Sequence, residues 1–286
     1  MTWLTWRQHR LGLAGFAAVF LGLVVLYAFA ESLDADAWSV YTAAYGFSRL
    51  VKFGEDLGNV LLLLPLLVGM FAGAPLVSRE LEHNTFRYAW TQGVSTSHWL
   101  CTKVFLVGSA VLVLSTVYAG AHMMWFEPMA AEVGWFRFFN QAVPVFPASC
   151  LFAFALGVLA GALLKRTVPA MAVTLVGGAA VFLAVALLLR PNYLAPMTLN
   201  RPVGAPGESA DPLDGAYHLG SVYRDVMGNI SGSMAWHHGD PPPVQIVTYH
   251  PADRFWPFQF IEAGIYLALT TAFLALAVVW LRRKLS

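Results

Sequence analysis

Six runs of predominantly apolar residues, at about 11–30, 58–77, 101–124, 146–164, 168–189 and 260–281, set the tightest limit on what this chain can fold into. Each has roughly the 20 residues that a helix needs to cross the hydrocarbon of a bilayer. No water is present there to pair with backbone N–H and C=O groups, so each run must satisfy its own main chain as a helix. Composition agrees, with 58% of the 286 residues hydrophobic and 12% charged, against about 25% charged in a soluble domain. The expected fold class is an all-α polytopic membrane protein, a single transmembrane domain over residues 1–286 with six transmembrane helices. Pro65 in the second run and Gly177–Gly178 in the fifth mark kinks or close helix contacts. The first run ends Ala28-Phe29-Ala30, similar to a signal-peptidase site. Its apolar core is longer than the usual ~7–15 residues of a signal peptide, which favours an uncleaved anchor.

Charge orients the helices. With six crossings, Arg7, Arg10, Arg79, Arg87, Lys103, Lys165, Arg166, Arg282, Arg283 and Lys284 share one side, ten of the 17 basic residues in short loops. Arg49, Lys52, Arg137, Arg190, Arg201, Arg224 and Arg254 are spread over longer loops on the other side. The positive-inside rule therefore puts both termini in the cytoplasm. Of the acids, only Glu80 and Glu82 fall on that side. Cys101 and Cys150 then lie at opposite faces, too far apart for a disulfide.

The outer side is expected to hold three parts. Residues 31–57 form a loop with Lys52, Glu55 and Asp56 clustered. Residues 125–145 carry Trp125, Phe126, Trp135, Phe136, Phe138 and Phe139, a pattern suited to a helix at headgroup level. A long extracellular segment, 190–259, is dense in Pro and Gly and includes Pro241-Pro242-Pro243. It reads as irregular chain folded against the helices as a lid.

Between the second and third runs lies SRELEHNTFRYAWTQGVSTSHWLCTK, residues 78–103. From Arg79 to about Trp90 it is compatible with a helix along the membrane, with Leu81, Thr85 and Tyr88 on one stripe and Arg79, His83 and Arg87 on another. Gly93 stops it, and Ser95, Thr96 and Ser97 are candidates to cap the next helix. Exposed Glu80 and Glu82 beside basic residues offer a soluble partner both charge signs. A solvated loop whose charges only fix topology accounts for the same residues.

The stretch from Ala74 to Val104 resembles the signature of type-2 ABC exporter permeases, in the branch common in high-GC Gram-positive bacteria. The matching residues are the acidic pair Glu80 and Glu82, then Asn84-Thr85, Thr91-Gln92 and Lys103 at the start of the third helix. The opening MTWLTWRQHR is similar to that branch's amphipathic N-terminal interface helix, with Trp3, Trp6, Arg7 and Arg10 at the interface. Asn84 stands where Gly is more usual, and Ser97-His98 where a basic residue is common. The resemblance implies a permease in a bacterial plasma membrane that pairs with a second permease, as homodimer or heterodimer. Each permease would dock an ATP-binding-cassette ATPase subunit, which holds the ATP and Mg²⁺. It implies ATPase-subunit coupling through Arg79, Glu80, Glu82, Thr85, Arg87, Thr91 and Gln92, and through Lys165 and Arg166. The chain has no G-x-x-x-x-G-K-[ST] phosphate loop, so neither enzyme activity nor a cofactor of its own is expected, and nucleic acid is not an expected partner. Few charges along the path point to an amphipathic or lipid-like cargo. The rival class is a non-transporting scaffold or sensor whose 190–259 region binds a ligand.

The remaining chemistry reads as structural. His237, His238 and Asp240, with His218, His250 and Asp253, have no spacing that fixes several metal ligands on one element. His122 near the outer end of the third helix is expected at the interface, and Glu262 at the start of the sixth to be solvated among headgroups. Ser109, Ser115, Thr116, Tyr118, Thr174, Thr270 and Thr271 lie within spans, where hydroxyls usually bond neighbouring backbone. The absence of a buried mid-membrane charge pair in this reading lowers ion-coupled transport. Gly228-Asn229-Ile230-Ser231-Gly232 does not match G-x-S-x-G, so a serine hydrolase is not expected.

Overall fold

The computed structural model describes residues 2–34, 57–58, 60–83, 96–203, 212–233 and 242–285. The helices are α1 (Thr2–Asp34), α2 (Leu64–Val68), α3 (Ala74–Glu82), α4 (Thr96–Val133), α5 (Val145–Leu164), α6 (Thr167–Ala184) and α7 (Phe255–Leu285). Among the described residues, Leu64–Glu82, Ser97–Glu127, Trp135–Leu164, Thr167–Asn192 and Ala252–Lys284 are long and apolar enough to cross a membrane. The first apolar run is represented by a shorter stretch, Ala14–Phe29, inside α1. The chain is thus a multi-pass helical membrane protein. The N-terminal decapeptide is helical and opens α1, which continues without a break from Thr2. Arg10 on it is exposed.

α5 is the centre of the bundle because it has no polar face to present to water, being apolar all round with Ala and Gly at close intervals. In its span 72% of the most apolar window is buried, against 17% for the span built on α6. The outward-facing side chains of α6 are left for lipid or another chain. On one flank of α5, α1 and α4 run in the same direction, with Phe20 packed on Tyr118 at 6.0 Å and Tyr27 on His122 at 5.1 Å between ring centroids. Phe146 of α5 closes that cluster against Tyr118 at 4.8 Å. On the other flank Phe152 meets Phe182 and Tyr266, joining α5 to α6 and α7.

The second span is not one helix. α2 opens with Pro65, and a π-helical turn, Gly69–Gly73, separates it from α3. The kink expected at Pro65 is accompanied by this wider turn, whose glycines lie against α5. A Cβ on Gly69 would sit 2.5 Å from the Ala153 carbonyl oxygen, and one on Gly161 2.5 Å from that of Ala74. Gly73 and Gly157 face the opposite backbone just as closely. Two small-x-x-x-small pairs, Gly69/Gly73 and Gly157/Gly161, therefore let the second and fourth spans touch main chain to main chain. Ser78 fills the next turn, its hydroxyl 2.8 Å from the Ala74 carbonyl oxygen.

Two aromatic-rich expectations are corrected. Residues 125–145 do not form one helix. α4 runs on to Val133, Gly134 (φ +77°) ends it, and a 3₁₀ turn, Trp135–Gln141, follows. Phe126, Phe138 and Phe139 are buried, because these rings find apolar partners in one another and in Phe255. His122, expected at the interface, is 1% exposed and enclosed by Tyr27, Tyr118, Trp125, Phe126 and Phe138. Its two ring nitrogens have no hydrogen-bond partner within the described protein.

The 190–259 segment is also more ordered than its prolines suggest, so the fold is not purely α. Strands β1 (Met197–Pro202), β2 (Tyr217–Arg224), β3 (Ile230–Ser231) and β4 (Val244–His250) form an antiparallel sheet in the order β1-β4-β2-β3. β4 is the central, most buried strand, its Val247 and Tyr249 packing with Leu213. Gly215 (φ +67°) brings the preceding turn against Gly134 at the end of α4, where a side chain on either would collide with the other. Phe136 stacks on Tyr217 at 5.5 Å. The sheet is thereby seated on the helix ends.

At that seat His250 is buried between the helix ends and β2. Its Nε2 lies 3.1 Å from the Pro191 carbonyl oxygen, and its Nδ1 2.9 Å from an Arg254 guanidinium nitrogen. The guanidinium donates to Nδ1, so the ring is the neutral Nε2–H tautomer. Burial first, then the Arg254 charge, holds its pKa below the ordinary 6.5, against the pull of the Pro191 carbonyl. As pH falls below that value the unfolded chain takes a proton that the folded ring resists, so stability is lost toward acid. Protection factors of the β4 amides, corrected for the intrinsic slowing of exchange in acid, are expected to fall as pH drops below about 6.5, and His250→Gln to flatten that dependence.

Candidate functional site

The coupling residues expected from the sequence gather where α3 ends and α6 begins. α3 stops at Glu82, with His83 as its C-cap. One Glu82 carboxylate oxygen, Oε2, accepts from the Thr167 backbone N–H at 3.0 Å and from the Thr167 hydroxyl at 2.9 Å. That is an N-terminal cap supplied from another helix. It satisfies a backbone donor that α6 cannot use internally, and it places a negative charge at the positive end of the helix dipole. The Thr167 and Ser78 hydroxyls lie 3.1 Å apart, closing a small polar knot between α3 and α6.

Glu80 faces another way. It pairs with Lys103, two turns into α4, whose ammonium also sits 4.7 Å from the Trp99 ring centroid. The Lys103 side chain is 4% exposed and that of Glu80 16%. Burial makes the pair sensitive to loss of either partner. On α7, Arg282 Nε donates to Ser97 Oγ at 2.6 Å, tying the far end of the last span to the first turn of α4. Lys165 (φ +55°) and Arg166 form the tight link between α5 and α6, and with Arg79 they are exposed at the same end.

Arg79, Glu80, Glu82, Lys165 and Arg166 thus share one end of the bundle. Both acids are engaged inside the fold, Glu80 half-buried and Glu82 exposed but bonded, rather than simply displayed. Thr85, Arg87, Thr91 and Gln92 lie outside the described residues, as does most of the expected membrane-parallel helix. So do His237, His238 and Asp240; no group of three or more potential metal ligands occurs among the described residues. Trp3, Trp6 and Arg7 fall on the first turns of α1.

The opposite end holds a constellation that the sequence reading misplaced. Glu262, expected among headgroups, is 0% exposed and bound by Arg190, which follows α6 and a π-helical turn, Val185–Leu189. Arg190 Nε donates to Glu262 Oε2 at 2.8 Å and Nη2 to Oε1 at 2.6 Å, a two-pronged pair. Nη2 also donates to Asn140 Oδ1 at 2.6 Å, Tyr193 donates to Glu262 at 3.1 Å, and the guanidinium carbon lies 4.2 Å from the Phe139 ring centroid. A buried charge pair therefore does exist, at the sheet-side ends of the fifth and sixth spans. Sequence alone left Arg190 and Glu262 as two distant loop-side charges. The available signal was that each interrupts the edge of an apolar run, where a lone charge must find a partner.

No curated protein and no solved structure matches the sequence. The sequence model of one family, described as ABC-2 membrane transporter related, matches residues 43–190, just over half of the 286. The match spans the Glu80, Glu82 and Thr167 knot and ends on Arg190. With a multi-pass helical bundle around it, this places the protein among ABC-type transporter membrane subunits: the chain belongs to the ABC-2 membrane transporter related family.

Proposed function

We propose that the chain is the permease half of an ATP-driven exporter of amphipathic or lipid-like cargo. It works in a bacterial plasma membrane as a homodimer, or as a heterodimer with a similar permease. Both termini and the Glu82–Thr167 end face the cytoplasm, and the sheet faces outward. A separate ATPase subunit binds ATP and Mg²⁺ and docks on the exposed Arg79, Lys165 and Arg166 together with Thr85, Arg87, Thr91 and Gln92. The observation that carries this reading is the way three spans are tied at one point. Glu82 holds α6 by its first backbone N–H, and Glu80, two residues earlier, holds α4 through Lys103. A push on the end of α3 is thereby delivered to the third and fifth spans as well as the second. The buried Lys103 and the capped Thr167 make those ties stiffer than exposed ion pairs.

The test is affinity purification from the native host in mild detergent. A stoichiometric chain carrying a phosphate loop is expected to co-purify. Reversing Arg79 and Lys165 to Glu is expected to remove it without lowering the thermal midpoint, because neither side chain forms the knot. Isolation without such a chain across several detergents would overturn the reading and leave the outer sheet as the place to seek a ligand.

A further inference from the structure

A cavity of about 320 Å³ lies between the second, fourth and fifth spans at the end where the sheet sits. That is at the small end of the range for ligand pockets, ~300–1,000 Å³. Its walls are apolar, from Leu66, Phe146, Phe182 and Leu183, and its polar end is formed by Arg190 and Asn140. Its rim lies on the outside of the bundle, where Leu62, Leu63 and Leu183 are 41%, 54% and 59% exposed. A molecule can therefore enter sideways from the hydrocarbon. We infer that this cavity binds a single-chain amphipath with an uncharged, acceptor-rich head, such as a glycerol ester: tail along the leucines, head on Arg190 and Asn140.

The head is fixed by what the polar end has left to offer. Arg190 uses Nε and Nη2 on Glu262 and Asn140, while Nη1 has no protein partner among the described residues. Asn140 accepts from Arg190 through Oδ1, and its Nδ2 likewise has no protein partner there. Both unused groups are donors, so the ligand must bring acceptors. Glu262 already cancels the Arg190 charge, and an anionic head would approach that carboxylate too, so carbonyl or ester oxygens fit better than a carboxylate or phosphate. The π-helical turn Val185–Leu189 shifts the helix register just before Arg190, and its Ala186 keeps the cavity open.

Naming such a ligand as cargo rests on the exporter reading, but its binding does not. Delipidated full-length protein in detergent would be irradiated with a monoacylglycerol carrying a diazirine in its chain, and separately with the fatty acid of equal length. The ester probe is expected to label residues 61–66 and 182–186, and the acid about tenfold less, because its charge meets the Glu262 carboxylate. Ala186→Trp, which fills the cavity, is expected to cut ester labelling by about tenfold at unchanged thermal midpoint. Asn140→Leu, which removes one of the two donors offered to the head, is expected to lower labelling by both probes and to keep the preference for the ester, which comes from Glu262. Competition by bulk phospholipid would name bilayer lipid as the natural source, and its failure a dispersed amphipath; both keep the site. Equal labelling by the two heads, or labelling indifferent to Ala186→Trp, would overturn it. So would Leu183→Cys cross-linking between copies that excludes the probe, which would make a second copy the occupant. None of these readouts involves ATP or a partner, so the site and the exporter reading can fail separately.

Discussion

Gly157→Val is expected to be the most damaging small substitution in the chain. A Cβ at this position would overlap the Gly69 carbonyl oxygen and crowd the Ala74 backbone nitrogen. Main chain cannot rotate aside as a side chain can, so relief requires the second and fourth spans to separate. Over-packing costs about 1–3 kcal/mol in ordinary cores, and a backbone-to-backbone seam belongs at or above the upper end. Separation would also open the Gly73 and Gly161 contacts, which lie on the same seam. Gly120→Ala in α4 is the matched control, since nothing lies within 4 Å of its added Cβ. Better helix propensity should leave it neutral or stabilised by up to about 1 kcal/mol. Thermal unfolding in detergent separates the two: a Gly157→Val midpoint within a degree or two of the parent would mean the seam is not closed as described.

Glu262→Ala is expected to be nearly as severe, for an electrostatic reason. It leaves the Arg190 guanidinium buried with the Asn140 amide and the Phe139 ring to share its charge. Breaking one side of a buried pair costs about 3–5 kcal/mol, which for a chain of this size is a midpoint loss on the order of 10 °C. The double variant Arg190→Met/Glu262→Leu removes both charges and is expected to recover most of the loss, because the attraction within such a pair roughly offsets its desolvation. A double variant as unstable as the single one would show that the site is held by Arg190's other contacts, to Asn140 and Phe139, and not by the pair.

Both positions were hard to see in the sequence for different reasons. Gly157 and Gly161, with Gly69 and Gly73, are spaced for close helix packing, a pattern legible in principle. Of Gly177–Gly178, which carried the same appearance, Gly178 does sit close, an added Cβ lying 2.5 Å from a Leu66 methyl, whereas Gly177 meets only a leucine methyl at 3.7 Å, and neither meets backbone. Spacing says that a helix offers a groove, not which neighbour fills it. Arg190 and Glu262 are 72 residues apart, and each has an ordinary solvated reading at a helix end. Only the approach of α6 and α7 on either side of Asn140 makes them one site. The sheet escaped notice because its prolines flank the strands: VQIVTYH in β4 alternates and is β-branched, but follows Pro241-Pro242-Pro243.

The apolar runs by themselves determined that the chain is a multi-pass helical bundle, because lipid leaves the backbone no other way to pair its hydrogen bonds. Residue patterns around Glu80, Glu82 and Lys103 were enough to indicate the family. Only the tertiary structure decided what those acids touch, which helix lies at the centre, and where charge is buried. These depend on contacts between residues far apart in sequence, and in a medium as apolar as the side chains themselves hydrophobicity does not choose among neighbours. Close steric fit, as at Gly157, and the pairing of otherwise stranded charges, as at Arg190 and Glu262, make that choice.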